Sequence, residues 1–166
     1  VYIENDELKS IKPFPPKKIR PCVFEYIYFS RPDSILNAKT AYEYRKNFGL
    51  QLAKEDKIKA DLVVPVPDSG NAAALGYAEE KGLKFDLGLI RNHYVGRTFI
   101  EPSQQIRSLG VKLKLNPNIS VIKDKRIILV DDSLVRGTTS TKIVKMLYDS
   151  GCLLYTSPSP RDYRES

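Results

Sequence analysis

The chain reads as an α/β fold, a parallel sheet flanked by helices, on three observations. Short apolar runs, Leu62-Val-Val-Pro-Val66 and Arg126-Ile-Ile-Leu-Val130, alternate with segments of helical spacing. Each run ends in a turn of small or acidic residues, and each turn opens a helix. Neither run alternates apolar with polar, the pattern of strands that a parallel sheet covers on both faces.

Taken in order, residues 1–20 place Lys9, Lys12, Lys17, Lys18 and Arg20 among Pro13, Pro15 and Pro16, the composition of a solvated linker that joins another domain. Val23 to Phe29 is an aromatic, β-prone run. Ala38 to Lys54 sets Ala41, Tyr44, Phe48 and Leu52 on one helical stripe. Leu62 to Val66 is a strand, Asp68-Ser69-Gly70 a turn, Asn71 to Lys81 a helix, and Phe85 to Ile90 a further strand. Between Arg91 and Gly110 no clean period holds, and a long irregular segment in a compact domain is usually functional or mobile. Arg126 to Val130 is the next strand, and Ile143, Val144 and Leu147 give the helical spacing after it.

Composition excludes several classes. A chain of 166 residues suits one domain or part of one. The formal charge of +7 is spread along the sequence and interrupted by acids, so an anionic small substrate accounts for it without nucleic acid. No apolar run approaches a membrane span and no signal peptide opens the chain. Two cysteines are too few for a disulfide framework, and a reduced cytoplasmic or plastid setting is the simpler expectation.

The segment Val130-Asp-Asp-Ser-Leu-Val-Arg-Gly-Thr-Thr-Ser140 carries the most chemistry. A strand runs into two carboxylates, Asp131 and Asp132, and then into Arg136, Gly137, Thr138, Thr139 and Ser140 ahead of a helix. Free backbone N–H groups, hydroxyls and the positive helix terminus can converge there on a phosphate. Acidic residues at strand ends often only cap the next helix. Here two of them beside an anion loop make sense if they accept from sugar hydroxyls or hold a divalent cation that accompanies a pyrophosphate. A ligand with a phosphate, free hydroxyls and Mg²⁺ meets these demands, and phosphoribosyl pyrophosphate has all three. Neither a G-x-x-x-x-G-K-[ST] loop nor a G-x-G-x-x-G turn after a strand is present.

This segment resembles the signature of the type I phosphoribosyltransferases, and within them the glutamine phosphoribosylpyrophosphate amidotransferase family. Pro21-Cys-Val-Phe-Glu-Tyr-Ile-Tyr-Phe-Ser-Arg-Pro-Asp-Ser34, Val64-Pro-Val-Pro-Asp-Ser69 and Tyr94-Val-Gly-Arg-Thr-Phe-Ile-Glu-Pro-Ser-Gln-Gln105 resemble further stretches of that family in the same order. The resemblance covers residues 20 to 152 and implies a type I phosphoribosyltransferase-like sheet with a flexible active-site loop.

The resemblance also implies roles. The turn with Asp68 and Gly70 would bind pyrophosphate, and Ser69 would join Asp131 and Asp132 on Mg²⁺. In the loop, Arg91, Tyr94, Arg97, Thr98 and Arg107 would meet the leaving pyrophosphate, while Tyr94 and Phe99 match residues that wall an ammonia channel. Arg91 stands where Lys is common in the family, and His93 where Arg is common. In an iron–sulfur branch the cysteine at Cys22 is a cluster ligand, whereas Cys152 matches no ligand.

The implied activity is the synthase half of an amidotransferase, which makes 5-phosphoribosylamine and pyrophosphate from phosphoribosyl pyrophosphate and ammonia delivered by a glutaminase domain. This is the first step of de novo purine synthesis. A nucleobase-salvage phosphoribosyltransferase and a non-catalytic phosphoribosyl pyrophosphate-binding regulator are the alternatives. The same reading expects a partial domain over residues 21–152, truncated at its C-terminal side, a homo-oligomer when full length, and residues 1–20 as the junction with a glutaminase domain. Leu153-Leu-Tyr-Thr-Ser-Pro-Ser-Pro-Arg-Asp162 is polar and Pro-rich, and residues 153–166 are expected to be a non-native or disordered tail.

Overall fold

The computed structural model describes residues 1–18, 20–93, 114–134 and 137–156. Its centre is a four-stranded, all-parallel sheet in the order Leu154–Thr156 (β10), Arg126–Val130 (β9), Leu62–Pro65 (β5) and Lys84–Phe85 (β6). Three two-stranded antiparallel pairs surround it: Tyr2–Glu4 (β1) with Glu7–Lys9 (β2), Ile35–Leu36 (β3) with Lys39–Thr40 (β4), and Leu89–Arg91 (β7) with Leu115–Pro117 (β8). The helices are Ala41–Glu55 (α1), Asn71–Lys81 (α2), the single turn Ile119–Ile122 (α3) and Thr138–Asp149 (α4).

Alternation along β5 and β9 builds two cores. Leu62, Val64, Ile127 and Leu129 pack with Ile143 and Leu147 of α4 and with Leu89, Ile122 and Cys152, whereas Val63, Ile128 and Val130 pack with Tyr77 and Ala74 of α2 and Ala53 of α1. Each strand therefore feeds both faces, which is why neither shows an apolar–polar alternation. Pro65 sits in a central strand without cost to the ladder. The Val63 carbonyl faces β6, so the N–H that Pro65 lacks would point the same way, beyond the last β5–β6 pair, Val63↔Phe85.

Helix α2 spans the residues its spacing predicts and closes on Gly82 in the left-handed region, φ 63°. Helix α1 begins three residues after the expected Ala38, at a Thr40–Glu43 capping box. Its buried stripe is Ala41, Arg45, Gly49 and Ala53, not the Ala41, Tyr44, Phe48 and Leu52 stripe of the sequence reading. Phe48 is exposed. Small residues decide the rotation: a Cβ on Gly49 would lie 1.8 Å from the Ala73 carbonyl oxygen, and one on Gly76 2.0 Å from that of Lys46. The two backbones meet where no side chain intervenes.

The aromatic run Val23 to Phe29 is not a strand, because Glu25–Phe29 forms a π-helical turn. Arg45, nearly buried, donates Nε to the Tyr26 carbonyl at 2.9 Å and Nη2 to that of Ser30 at 2.7 Å, and Tyr26 packs edge-on against Tyr44. One carbonyl of the run, that of Tyr26, is taken by the guanidinium, and that of Glu25 accepts the Ser30 N–H that closes the turn. The expected Phe85 to Ile90 strand is two strands, β6 and β7, parted at Gly88, where a side chain would collide with Ile122 and Val64.

Two segments differ from their expected character. Residues 2–9, read as linker, form the β1–β2 hairpin around Asn5 and Asp6, both at positive φ (51° and 59°) as a two-residue hairpin turn requires. Leu154–Thr156, assigned to the tail, pairs in register with Arg126–Ile128. The polar, Pro-rich part starts only at Ser157, so Leu-Leu-Tyr-Thr keeps enough β-prone character to extend the sheet.

Candidate functional site

The order of the parallel sheet fixes where a ligand can sit. From β5 the chain crosses through α2 to β6 on one side, and from β9 it crosses through α4 to β10 on the other. The crossovers diverge between β5 and β9, and at such a switch point the loops beyond the carboxyl ends of the strands open a crevice. After β5 this loop is the turn 66–70, and after β9 it begins with residues 131–134, where the two segments singled out by the sequence lie.

They are fastened at the backbone. Val66 donates its N–H to the Val130 carbonyl at 2.8 Å, and Gly70 donates to Val66 at 2.9 Å. A Cβ on Gly70 would lie 2.5 Å from the Val130 carbonyl oxygen, so only glycine lets the first turn close on the end of β9. The Pro67–Asp68 peptide is cis. Asp68 is exposed and accepts from Arg91 Nη1, the last residue of β7. Ser69 is half-buried in the same turn.

At the end of β9, Asp131 and Asp132 are both half-buried. Asp131 Oδ1 accepts the backbone N–H of Asp132 at 2.9 Å. Burial first, and then the neighbouring Asp132 carboxyl, push Asp131 up to about 7. Asp132 Oδ2 is buried with no hydrogen-bond partner. A desolvated acidic pair with an orphaned oxygen is a site short of positive charge or hydroxyl donors, and Mg²⁺ or a diol fits it. Among the described residues no cluster of three or more His, Cys, Asp or Glu side chains could hold a metal by itself, so other donors would have to complete the shell.

Beyond the acidic pair, Gly137 lies at φ 71° before α4. A Cβ there would meet nothing within 4 Å. The constraint at Gly137 is therefore backbone conformation and not a lack of room for a side chain. The Gly137 carbonyl accepts from Thr141 N at 2.9 Å and Thr141 Oγ1 at 2.8 Å, fixing the entry to the helix. Thr139 is exposed and Ser140 half-buried in its first turn.

The structure thus brings together Asp68, Ser69, Gly70 and Arg91 on one side and Asp131, Asp132, Gly137, Thr139 and Ser140 on the other. Tyr94, Arg97, Thr98, Phe99, Arg107 and Arg136 lie outside the described residues, as does the side chain of Thr138. Cys22 is exposed and Cys152 belongs to the core. With two cysteines so placed, the residues of this chain do not fit an iron–sulfur cluster by themselves. Sequence reasoning missed Arg45, whose guanidinium is pulled down by burial and back up by the negative field of Asp132. Its only signal was an arginine on the small-residue stripe of α1.

This fold is that of a type I phosphoribosyltransferase-like domain. No family model matches the chain. It is 60% identical over 140 residues to the amidophosphoribosyltransferase of Rhizobium etli, a match that covers 84% of this chain and 28% of that protein. It is 54% identical over 151 residues to the chloroplastic amidophosphoribosyltransferase 1 of Arabidopsis thaliana, covering 91% and 27% respectively. Among solved structures, the glutamine phosphoribosylpyrophosphate amidotransferase from B. subtilis, complexed with ADP and GMP, superimposes with a TM-score of 0.73 at 51% identity over 82% of this chain and 30% of that one. Over most of its length the chain is a homologue of the amidophosphoribosyltransferases, and it spans little more than a quarter of the curated relatives it matches.

Proposed function

We propose that this chain carries the phosphoribosyl pyrophosphate site of an amidophosphoribosyltransferase and serves its synthase reaction in purine synthesis. The observation that supports this most is the meeting of two anion-type turns at the β5–β9 switch point, beside an acidic pair whose Asp132 Oδ2 has no partner.

In this reading the backbone N–H groups of Gly137, Thr138, Thr139 and Ser140, with the hydroxyls and Arg136, hold the 5′-phosphate. Asp131 and Asp132 accept from the ribose hydroxyls, and Asp68, Ser69 and Gly70 with Arg91 present the pyrophosphate turn. Mg²⁺, when bound through Ser69, Asp131 and Asp132, would supply charge neutralisation of the departing pyrophosphate. Tyr94, Arg97, Thr98 and Phe99 belong to the segment that would exclude water and admit ammonia. The nitrogen lone pair of ammonia forms the new bond to the anomeric carbon as the C–O bond to pyrophosphate breaks. The electron pair leaves with pyrophosphate, and one proton is then lost from the nitrogen. No side-chain nucleophile is required, so positioning and charge stabilisation carry the rate.

Ammonia from a glutaminase domain, a homo-oligomeric assembly, and Cys22 as a ligand completed by cysteines of a longer protein belong to the same proposal. No helix among the described residues is long and apolar enough to cross a membrane. A cytoplasmic or plastid location is proposed, the latter from the chloroplastic naming of the Arabidopsis relative. The test is pyrophosphate release from phosphoribosyl pyrophosphate and Mg²⁺ with ammonium chloride as nitrogen source. Ammonium-dependent release supports the proposal; release that instead needs a free nucleobase would replace it with a salvage reaction.

A further inference from the structure

Asp68, in the first turn, and Arg91, at the end of β7, form an ion pair. Arg91 Nη1 donates to Asp68 Oδ2, with side-chain exposures of 42% for Arg91 and 52% for Asp68. They come from different elements, and each is held in place. The Asp68 turn is closed by the Gly70 N–H on the Val66 carbonyl at 2.9 Å. Arg91 is set by its pairing with Leu115 and by the Asn92 N–H on the Lys114 carbonyl at 2.7 Å. The backbones that carry the pair are held, while the side chains that form it are partly exposed.

A carboxylate on the guanidinium occupies a donor that an incoming anion would need, and it adds negative charge where that anion must arrive. We propose that Asp68 is an internal competitor for Arg91, displaced when a pyrophosphate group binds, so that Asp68 sets the affinity of the pyrophosphate side of the site. This inference rests on the phosphoribosyl pyrophosphate reading and deepens it. Exposed ion pairs are weak, so the competitor can be displaced and its effect is modest, on the order of 1 kcal/mol or about five-fold in affinity.

Inorganic pyrophosphate, titrated calorimetrically into this chain with Mg²⁺ present, reads the competition directly. The variants are Asp68→Asn, Arg91→Gln and the double substitution, with Asp68→Glu as a variant that keeps the charge. Binding to the wild type, about three- to five-fold tighter binding by Asp68→Asn, and loss of that gain in the Arg91→Gln background are expected. A merely structural role for the pair, or a general charge effect, would not make the gain depend on Arg91. Wild-type binding with no gain in Asp68→Asn, or an equal gain with and without Arg91, overturns the competitor and leaves the site reading standing. No pyrophosphate binding by any of these proteins would remove both.

Discussion

Val66 donates its backbone N–H to the Val130 carbonyl across 2.8 Å, and this bond ties the turn that carries Asp68 to the strand end that carries Asp131. Two turns that are distant in sequence thereby share one rigid floor. Their relative position is set by the β5–β9 ladder, whose last pair is Pro65↔Val130, and not by loop side chains.

The floor imposes a charge cost that pH should reveal. Asp131 sits at about 7, above the ordinary carboxylate value near 4. Between about 4 and 7 the folded chain holds a proton that the unfolded chain has released, so stability falls as pH rises through that window and the full cost is present above it. Asp131→Asn should remove this slope. We expect the variant to melt several degrees above the wild type at pH 8, on the order of 1–2 kcal/mol after solvent screening, and to match it near pH 4. Thermal melts across that range check this, and parallel wild-type and variant curves would contradict it.

Gly137 should respond to backbone conformation rather than to size. Its φ of 71° favours glycine, and the space around its Cβ position is open. Gly137→Val should impair phosphate binding and cost about 1–3 kcal/mol, whereas Gly137→Asn, which tolerates this region, should keep most of both. Equal behaviour of the two variants in an inorganic phosphate titration would point to a different constraint.

Among the described glycines, those of the α1–α2 contact should be the most size-sensitive. A Cβ on Gly49 would lie 1.8 Å from the Ala73 carbonyl, backbone against backbone, with no flexible side chain to yield. Gly49→Ala should destabilise by about 2–3 kcal/mol in urea denaturation, despite the better helix propensity of alanine. A stabilised variant would mean that the helices are farther apart than described.

Much of the fold could be read from the sequence where one signal dominated. Asn71–Lys81 and Arg126–Val130 lie where spacing and β-branching put them, because nothing local competes with those patterns. The readings that changed were those settled by tertiary contacts. Phe48 looked like the core of α1, but glycine at 49 and alanines at 41 and 53 allow a closer helix approach than a phenylalanine could. The run from Val23 to Phe29 has strand composition, yet the Arg45 guanidinium binds the Tyr26 carbonyl within it and the Ser30 carbonyl just after it, holding a turn. In the site, Asp68, Gly70, Asp131, Asp132 and Gly137 were legible as turn chemistry. The Asp68–Arg91 contact and the field between Arg45 and Asp132 were not, since pairs separated by many residues leave no mark on local pattern.

The central claim is that the acidic pair and the two turns form a metal-dependent phosphoribosyl pyrophosphate site. Its most direct test is calorimetric titration of phosphoribosyl pyrophosphate, with and without Mg²⁺, into the wild type and Asp131→Asn/Asp132→Asn, folding being confirmed by circular dichroism. The account predicts saturable binding that needs Mg²⁺ and weakens at least about ten-fold in the double variant, roughly 1.4 kcal/mol or more. Wild-type binding that ignores Mg²⁺, or a folded double variant with undiminished affinity, would contradict it.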